Sequence, residues 1–495
     1  MTRPPSAAPA TRVTELRDSC RRYLQLRLGI DARAVAAFRM GLGLVVLFDL
    51  VCSRIPGLRT FYTDSGILPR SALREISPTL AQWSLHAISG SIWAQVLLVG
   101  VTGVAAACLL VGYRPRPAAV ASALLLTSLH ARNPYLVNGG DTILISVLFL
   151  AAFLPLDTQW ALRSCDRTDG KKIRSVATAT ILLHVESIYA VNALLKVQSE
   201  AWMGGIAVQR IFQLQDFVYL LGPTVADYPA LLTAINWLWV ALLFASVLLV
   251  FATDRLRAVT VVAFMGAHLG MAATMRLGVF PFVMISALLL FLPQRVWNGV
   301  DRRIDESGPR SSLTSLIGQE NGVTPKSRLA ARSPAVRRGV RITLSVILVC
   351  FLITTVSWQV VSADLVDTPS TEANGMLETA SWGFFAPNPP DTYSWYVVAA
   401  TRKSGERLDL VDGGAVGFDR PPNAMDRYPT TLWKRYATKG RDAGGGLAEP
   451  AAAYFCQRSA DDIQSITIYR VDQSVDRDGP VGEPTRHKLA STTCD

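Results

Sequence analysis

A small set of polar side chains stands out against a strongly apolar chain, and their types suit proton transfer near a membrane surface. The apolar stretch 176–196 contains His184, Glu186, Tyr189, Asn192 and Lys196. Tyr189, Asn192 and Lys196 fall at i, i+3 and i+7, so in a helix they share one face. Ionisable groups inside hydrocarbon are costly and mark candidate functional sites. Lys196 has two readings. It is followed by Gln198, Glu200 and Trp202, an interfacial pattern in which a lysine snorkels to the headgroups. Alternatively it is a partly desolvated amine usable as a base. Tyr189 and Asn192 on the same stripe favour the second reading.

Three further groupings belong beside it. In His130 to Asp141, Asn138 with Gly139 and Gly140 makes a tight turn, and Asp141 can cap the helix that follows. A turn alone does not explain His130, Arg132 and Asn133 crowded at a membrane boundary, so they are expected to line a site. Phe61 to Arg70 reads as a turn around Asp64 and Gly66, and a plain capping loop accounts for it equally well. His268, followed by Arg276, is either a packed core histidine or a member of the same polar layer.

Several chemistries are excluded by pattern. There is no HExxH, no Cys/His cluster and no phosphate-loop, dinucleotide or Gly-x-Ser-x-Gly signature, so no metal site is expected. The formal net charge is +11, but the basic residues lie in loops between apolar blocks. That distribution fits membrane topology, and no nucleic-acid partner is expected.

The elements that must position these residues are read from hydropathy. Half of the 495 residues are hydrophobic and 18% are charged. The apolar residues come in blocks near the roughly 20 residues needed to cross a bilayer as a helix. Short alternating segments, the mark of a membrane barrel, are missing from the pattern. Nine spans are predicted, near 34–53, 91–111, 116–131, 140–157, 176–196, 228–251, 257–273, 277–293 and 339–359. The expected fold is thus an all-α polytopic membrane domain of about nine helices with a small C-terminal β-rich extracytoplasmic domain.

The Lys/Arg bias orients those spans. A cytoplasmic N-terminal segment, 1–33, is followed by basic inside segments holding Arg114 and Arg116, then 158–175, 252–256 and 294–338. The transmembrane domain is expected over 34–293, a Ser-, Gly-, Pro- and Arg-rich cytoplasmic linker over 294–338, and the last helix over 339–359. No cleavable signal peptide is read at the N-terminus. The region 360–495 is then outside. It is polar, with strand candidates at Ser394 to Val398 and at Ile463 to Tyr469. Among seven cysteines only Cys456 and Cys494 fall there, and export would permit, without requiring, a disulfide between them.

Over about 30–295 the chain resembles the vitamin K-dependent gamma-carboxylase superfamily, whose bacterial members are called horizontally transferred transmembrane domain proteins. The likeness rests on Phe61 to Arg70, Arg132 to Asp141, Tyr189 through Lys196 to Trp202 and Gly205, and His268 with Phe280-Pro281-Phe282. Trp382-Gly383-Phe384-Phe385-Ala386-Pro387-Asn388-Pro389 also looks like the start of the outer domain in such proteins. The resemblance implies a multi-pass protein of the bacterial cytoplasmic membrane. It also implies a reduced naphthoquinone (menaquinol or vitamin K hydroquinone) oxidised by O2, yielding a base strong enough to abstract a proton from a peptidyl glutamate before CO2 is captured. By position Lys196 looks like the lysine that deprotonates the quinol, with His130 and His268 as further catalytic candidates. Asn133, Tyr189, Asn192, Arg132 and Arg276 are the candidates for holding the cofactor. The animal carboxylase has an Asn-His pair where this chain has Asn133-Pro134, so the resemblance bears more directly on quinol chemistry than on CO2 addition.

The leading expectation is therefore a carboxylase-type membrane enzyme acting on a peptide or small molecule at the outer face, with membrane lipid and a secreted peptide or protein as partners. A non-enzymatic factor for maturation, export or immunity of a secreted peptide is the alternative. Transport ranks below both, because no inverted repeat is visible.

Overall fold

Helix caps written in the sequence begin two of the elements that frame the site. Ser175 and Thr178 form a reciprocal capping box that starts the helix Val176–Val197, termed the lysine helix below. Asn138 and Asp141 do the same for Gly139–Ala151; the cap residue is Asn138, with Asp141 returning a bond to its backbone. The computed structural model describes residues 27–162, 172–306, 333–362, 382–422, 427, 430–440 and 446–494.

The first long helix, Ala32–Asp49, packs on Ile92–Val111, which packs in turn on Pro115–Arg132. Gly43 permits the first of these contacts, since a Cβ there would lie 2.8 Å from Leu110. Phe280–Leu288 sits against the first helix, against Gly139–Ala151 and against Asp254–Thr274. The long helix Pro334–Ser362 lies along the lysine helix.

The expectation of about nine transmembrane helices is corrected. Among the described residues, five helices are long and apolar enough to cross a membrane: Ala32–Arg54, Ile92–Val111, Val176–Val197, Asp254–Thr274 and Pro334–Val361. A sixth is counted only if Phe280–Phe291 and Gln294–Arg303, bent by 99°, form one span. The other expected spans fail for identifiable reasons. Gly139–Ala151 has 13 residues, about 20 Å at the helical rise. Pro229–Phe244 stops before the separate turn Val247–Phe251. Pro115–Arg132 carries prolines and arginines at its ends and is not apolar enough along its length. Hydropathy detects apolar stretches, but length, caps and breaks decide whether a stretch forms one crossing helix.

The expected linker begins as helix Gln294–Glu306, and 307–332 lie outside the described residues. After residue 382 the chain builds a four-stranded antiparallel sheet in the order Arg407–Asp409, Thr392–Arg402, Ile463–Asp476, Gly479–Thr493. Both sequence-predicted strands lie within it. Tyr393, Trp395 and Val397 alternate onto a buried face shared with Val471, Val475 and Leu214, so this face packs toward the loop that follows the lysine helix. Tyr396 and Val398 point the other way, and Tyr396 donates from its hydroxyl to the Ala437 carbonyl at 2.7 Å. That bond ties the sheet to the helix Thr431–Gly440. Cys456 and Cys494 are joined in a disulfide that closes the helix Ala448–Cys456 onto the last strand.

Candidate functional site

The lysine helix presents Tyr189, Asn192 and Lys196 to one cavity of about 510 Å³. Apart from these three and Thr274, its walls are almost wholly apolar or aromatic, including Trp202, Trp239, Phe280 and Phe384. Leu231, Ile235 and Leu238 on one wall are also exposed, so the cavity borders an apolar surface of the protein.

Lys196 is 2% exposed, and its amine does not reach out to headgroups. Its Nζ donates to the Phe384 carbonyl at 2.8 Å and to Asn192 Oδ1 at 3.2 Å. The amine also stands 4.5 Å from the Trp202 ring centroid. Among the described residues no carboxylate is paired with it. Asn192 in turn donates from Nδ2 to the carbonyls of Ile188 at 2.9 Å and Trp382 at 2.7 Å, which fixes its oxygen toward the lysine. Trp202 donates its indole N–H to the Phe385 carbonyl at 2.8 Å. Trp382 to Phe385 thus supply three backbone oxygens to groups on or beside the lysine helix. Gln359 and Ser199 anchor this segment through the Trp382 amide and the Asn388 side chain.

His268, from Asp254–Thr274, meets Tyr189 through Nε2 at 2.9 Å, and its Nδ1 has no partner among the described residues. The Tyr189 ring lies 4.3 Å from that of Phe264, tilted by 38°, one turn before His268. Deeper in the helix, His184 bonds Ser146 at 2.9 Å, and Glu186 accepts from Ser246 at 3.0 Å.

The remaining sequence candidates lie elsewhere. Arg132 is fully buried and donates to the carbonyls of Leu68 and Thr63, with Asp64 at 3.7 Å. Asn133 donates to the Phe61 carbonyl at 3.0 Å. Both hold the 61–70 loop, whose Asp64 is paired with Arg70 at 2.7 Å. Partial burial pushes the Asp64 carboxyl up, but the Arg70 hydrogen bonds outweigh it and leave the group below its ordinary value. His130 is buried with neither ring nitrogen bonded among the described residues. These three do not line the Lys196 cavity.

Below the 61–70 loop lies a buried ionic network. Arg54 pairs with Asp49 and with Asp141, each at 2.8 Å, and donates to the Tyr62 hydroxyl at 2.9 Å. Arg435, from the C-terminal region, reaches Asp141 at 2.9 Å. Arg276 lines a second cavity of about 330 Å³ together with Asn138, Lys434 and Arg435. The two cavities share Leu277, Phe280, Phe384 and Phe385 as their dividing wall.

Of the polar residues that the sequence groups on the outer side, the structure brings Lys196, Tyr189, Asn192 and His268 together and leaves His130, Arg132, Asn133 and Arg276 outside this cavity. Sequence reading missed Trp202 as a contact of the amine, the carbonyls of Trp382 and Phe384, and the C-terminal pair Lys434 and Arg435. Backbone acceptors leave no residue-type signature, and Lys434-Arg435 reads as an ordinary charged helix face. Among the described residues no group of three or more metal-ligating side chains is present. A family model described as the HTTM domain matches residues 29–297. No curated protein and no solved structure matches the chain.

Proposed function

This chain belongs to the HTTM-domain family, and on that premise we propose that it is a gamma-carboxylase-type membrane enzyme in which Lys196 takes a proton from a reduced naphthoquinone. The observation that carries this reading is the Lys196 amine itself. It is buried against a large apolar cavity and held by neutral oxygens. A lysine turned to the headgroups with no cavity behind it would instead have favoured the non-enzymatic role.

The residues present fit such a cofactor. The cavity volume falls within the roughly 300–1,000 Å³ of small-molecule sites, and its apolar walls suit a flat bicyclic ring. The exposed leucines along one wall suit a ligand that arrives from the bilayer. When bound, the quinol would supply an acidic hydroxyl and the electrons for O2. Lys196 Nζ lines this cavity and would accept that proton as a general base. Asn192 and the Phe384 carbonyl orient the amine. Tyr189, held by His268, would offer its hydroxyl to a ligand in the same cavity, and the aromatic wall of Phe280 and Phe384 would limit access of water. Arg132 and Asn133 support this chemistry only indirectly, by holding the 61–70 loop.

The same reading puts the C-terminal sheet on the outer face of a bacterial cytoplasmic membrane, where a peptide or small-molecule substrate would be met. The Cys456–Cys494 disulfide supports this side, because such bonds persist in oxidising compartments. The test is incubation of purified protein with reduced menaquinone, O2 and labelled bicarbonate, for wild type and Lys196→Ala. Wild type is expected to consume quinol, with Lys196→Ala slower by about 100-fold or more. Equal background rates in both would remove the enzyme reading. Quinol oxidation without labelled product would keep the proton chemistry and remove carboxylation.

A further inference from the structure

The chamber behind the Phe280–Phe384 wall gathers more charged side chains than the lysine cavity. Asn138 and Arg276 enter it from the membrane domain, Lys434 and Arg435 from the helix Thr431–Gly440. Arg435 is 7% exposed and spends one nitrogen on Asp141 and the Leu136 carbonyl. Its Nη2 is buried without an acceptor among the described residues. A buried guanidinium edge left without an acceptor is costly, and native proteins normally satisfy such groups. Gly278 makes room for it: the backbone there has φ +65°, and a Cβ would fall 2.2 Å from that nitrogen.

Lys434 is in a similar state. It is 4% exposed, lies 2.9 Å from the Phe217 ring centroid, and has the Asp216 carboxylate at 3.5 Å, too far for a good hydrogen bond. Around the chamber and the network beneath it, Arg54, Arg276, Lys434 and Arg435 face Asp49, Asp141 and Asp216. Burial holds the Lys434 amine down to about 7, Asp216 pulling it up and Arg276 and Arg435 pushing it further down. An anion in the chamber would return it to the ammonium form.

We propose that this chamber is a binding site for a small oxyanion, a carboxylate or phosphate group, clamped between Arg276 and the Lys434–Arg435 pair. Charge-assisted bonds from a guanidinium fork and an ammonium are the usual means of holding such a group. The site is closed by residues of both the membrane domain and the C-terminal region, so binding strengthens the docking of one on the other. It stands apart from the quinol reading, since neither Lys196 nor Asn192 lines it.

The experiment is the thermal unfolding midpoint of the purified full-length protein, titrated with sodium acetate or sodium phosphate at ionic strength matched with sodium chloride. Wild type is expected to show a saturable rise. Arg276→Gln and Lys434→Met are expected to raise the half-saturating concentration by about 10- to 100-fold, as for loss of a hydrogen bond to a charged group. Lys434→Arg, which keeps the charge, is expected to stay nearer wild type, and it guards against a general loss of folding. A lower half-saturation for acetate assigns a carboxylate ligand; a lower one for phosphate assigns a phosphate group. No saturable response to either anion in wild type, or unchanged half-saturation in both Arg276→Gln and Lys434→Met, overturns the site.

Discussion

The amine of Lys196 donates to the main-chain carbonyl of Phe384, 188 residues further along the chain, at 2.8 Å. A transmembrane lysine is thereby bonded to a segment outside the family match, which ends at residue 297. The contact links the state of the amine to the docking of the C-terminal region. Any ligand that takes the Lys196 donor for itself must compete with Phe384 and Asn192.

Asn192 is expected to act as a positioning residue for that amine. Asn192→Leu removes one of the two acceptors of Lys196 and leaves the Trp382 carbonyl unmet, at a cost of about 1–3 kcal/mol. Single-turnover quinol oxidation is expected to slow by about tenfold while Lys196 is still present. Raised KM with an unchanged single-turnover rate would instead give Asn192 a role in ligand binding only.

Asp141 is expected to be the costliest carboxylate to neutralise. Asp141→Asn takes the carboxylate partner from Arg435 and leaves Arg54 with Asp49 alone in a buried place, a change worth about 3–5 kcal/mol. Asp64→Asn breaks a half-exposed pair with Arg70 and should cost about 1 kcal/mol or less. Thermal unfolding of the two variants side by side checks this order; equal midpoints would contradict it.

The disulfide is expected to hold the C-terminal sheet together. Cys456 and Cys494 are 38 positions apart, and closing a loop of that size contributes about 2–4 kcal/mol. Cys456→Ser should lower the unfolding midpoint, and a reductant should do the same to wild type but not to the variant. A thiol label reacting at both positions in the untreated protein would show that the bond is not formed.

The Lys434 amine gives a pH dependence of definite sign. Its folded-state value is lowered from 10.5 to about 7, chiefly by burial, with Arg276 and Arg435 adding to the fall and Asp216 opposing it. Between those two values the unfolded chain holds more protons than the folded one, so stability contributed by this group rises from pH 7 toward pH 10.5. Below pH 7 the full cost of charging the buried amine is present. Unfolding midpoints measured from pH 6 to pH 9 should therefore climb in wild type, with a flatter slope in Lys434→Met. An identical slope in the variant would assign the effect to other groups.

The sequence alone located the apolar stretches, the strands around Trp395 and Ile466, and the stripe of Tyr189, Asn192 and Lys196. All three are local properties: hydropathy, alternation by two, and helical spacing by three and four. It could not decide which apolar stretches cross a membrane, because Gly139–Ala151 and Pro229–Phe244 are apolar yet end too early. Nor could it separate the outer-side polar residues into two groups. His268 joins Tyr189 at the lysine cavity, whereas Arg132 and Asn133 hold the 61–70 loop. Residue type shows that a side chain can donate a hydrogen bond, but only packing decides which acceptor it meets. The carbonyls of Trp382 and Phe384 and the meeting of Arg435 with Asp141 arise from contacts between distant parts of the chain, so tertiary structure alone placed them.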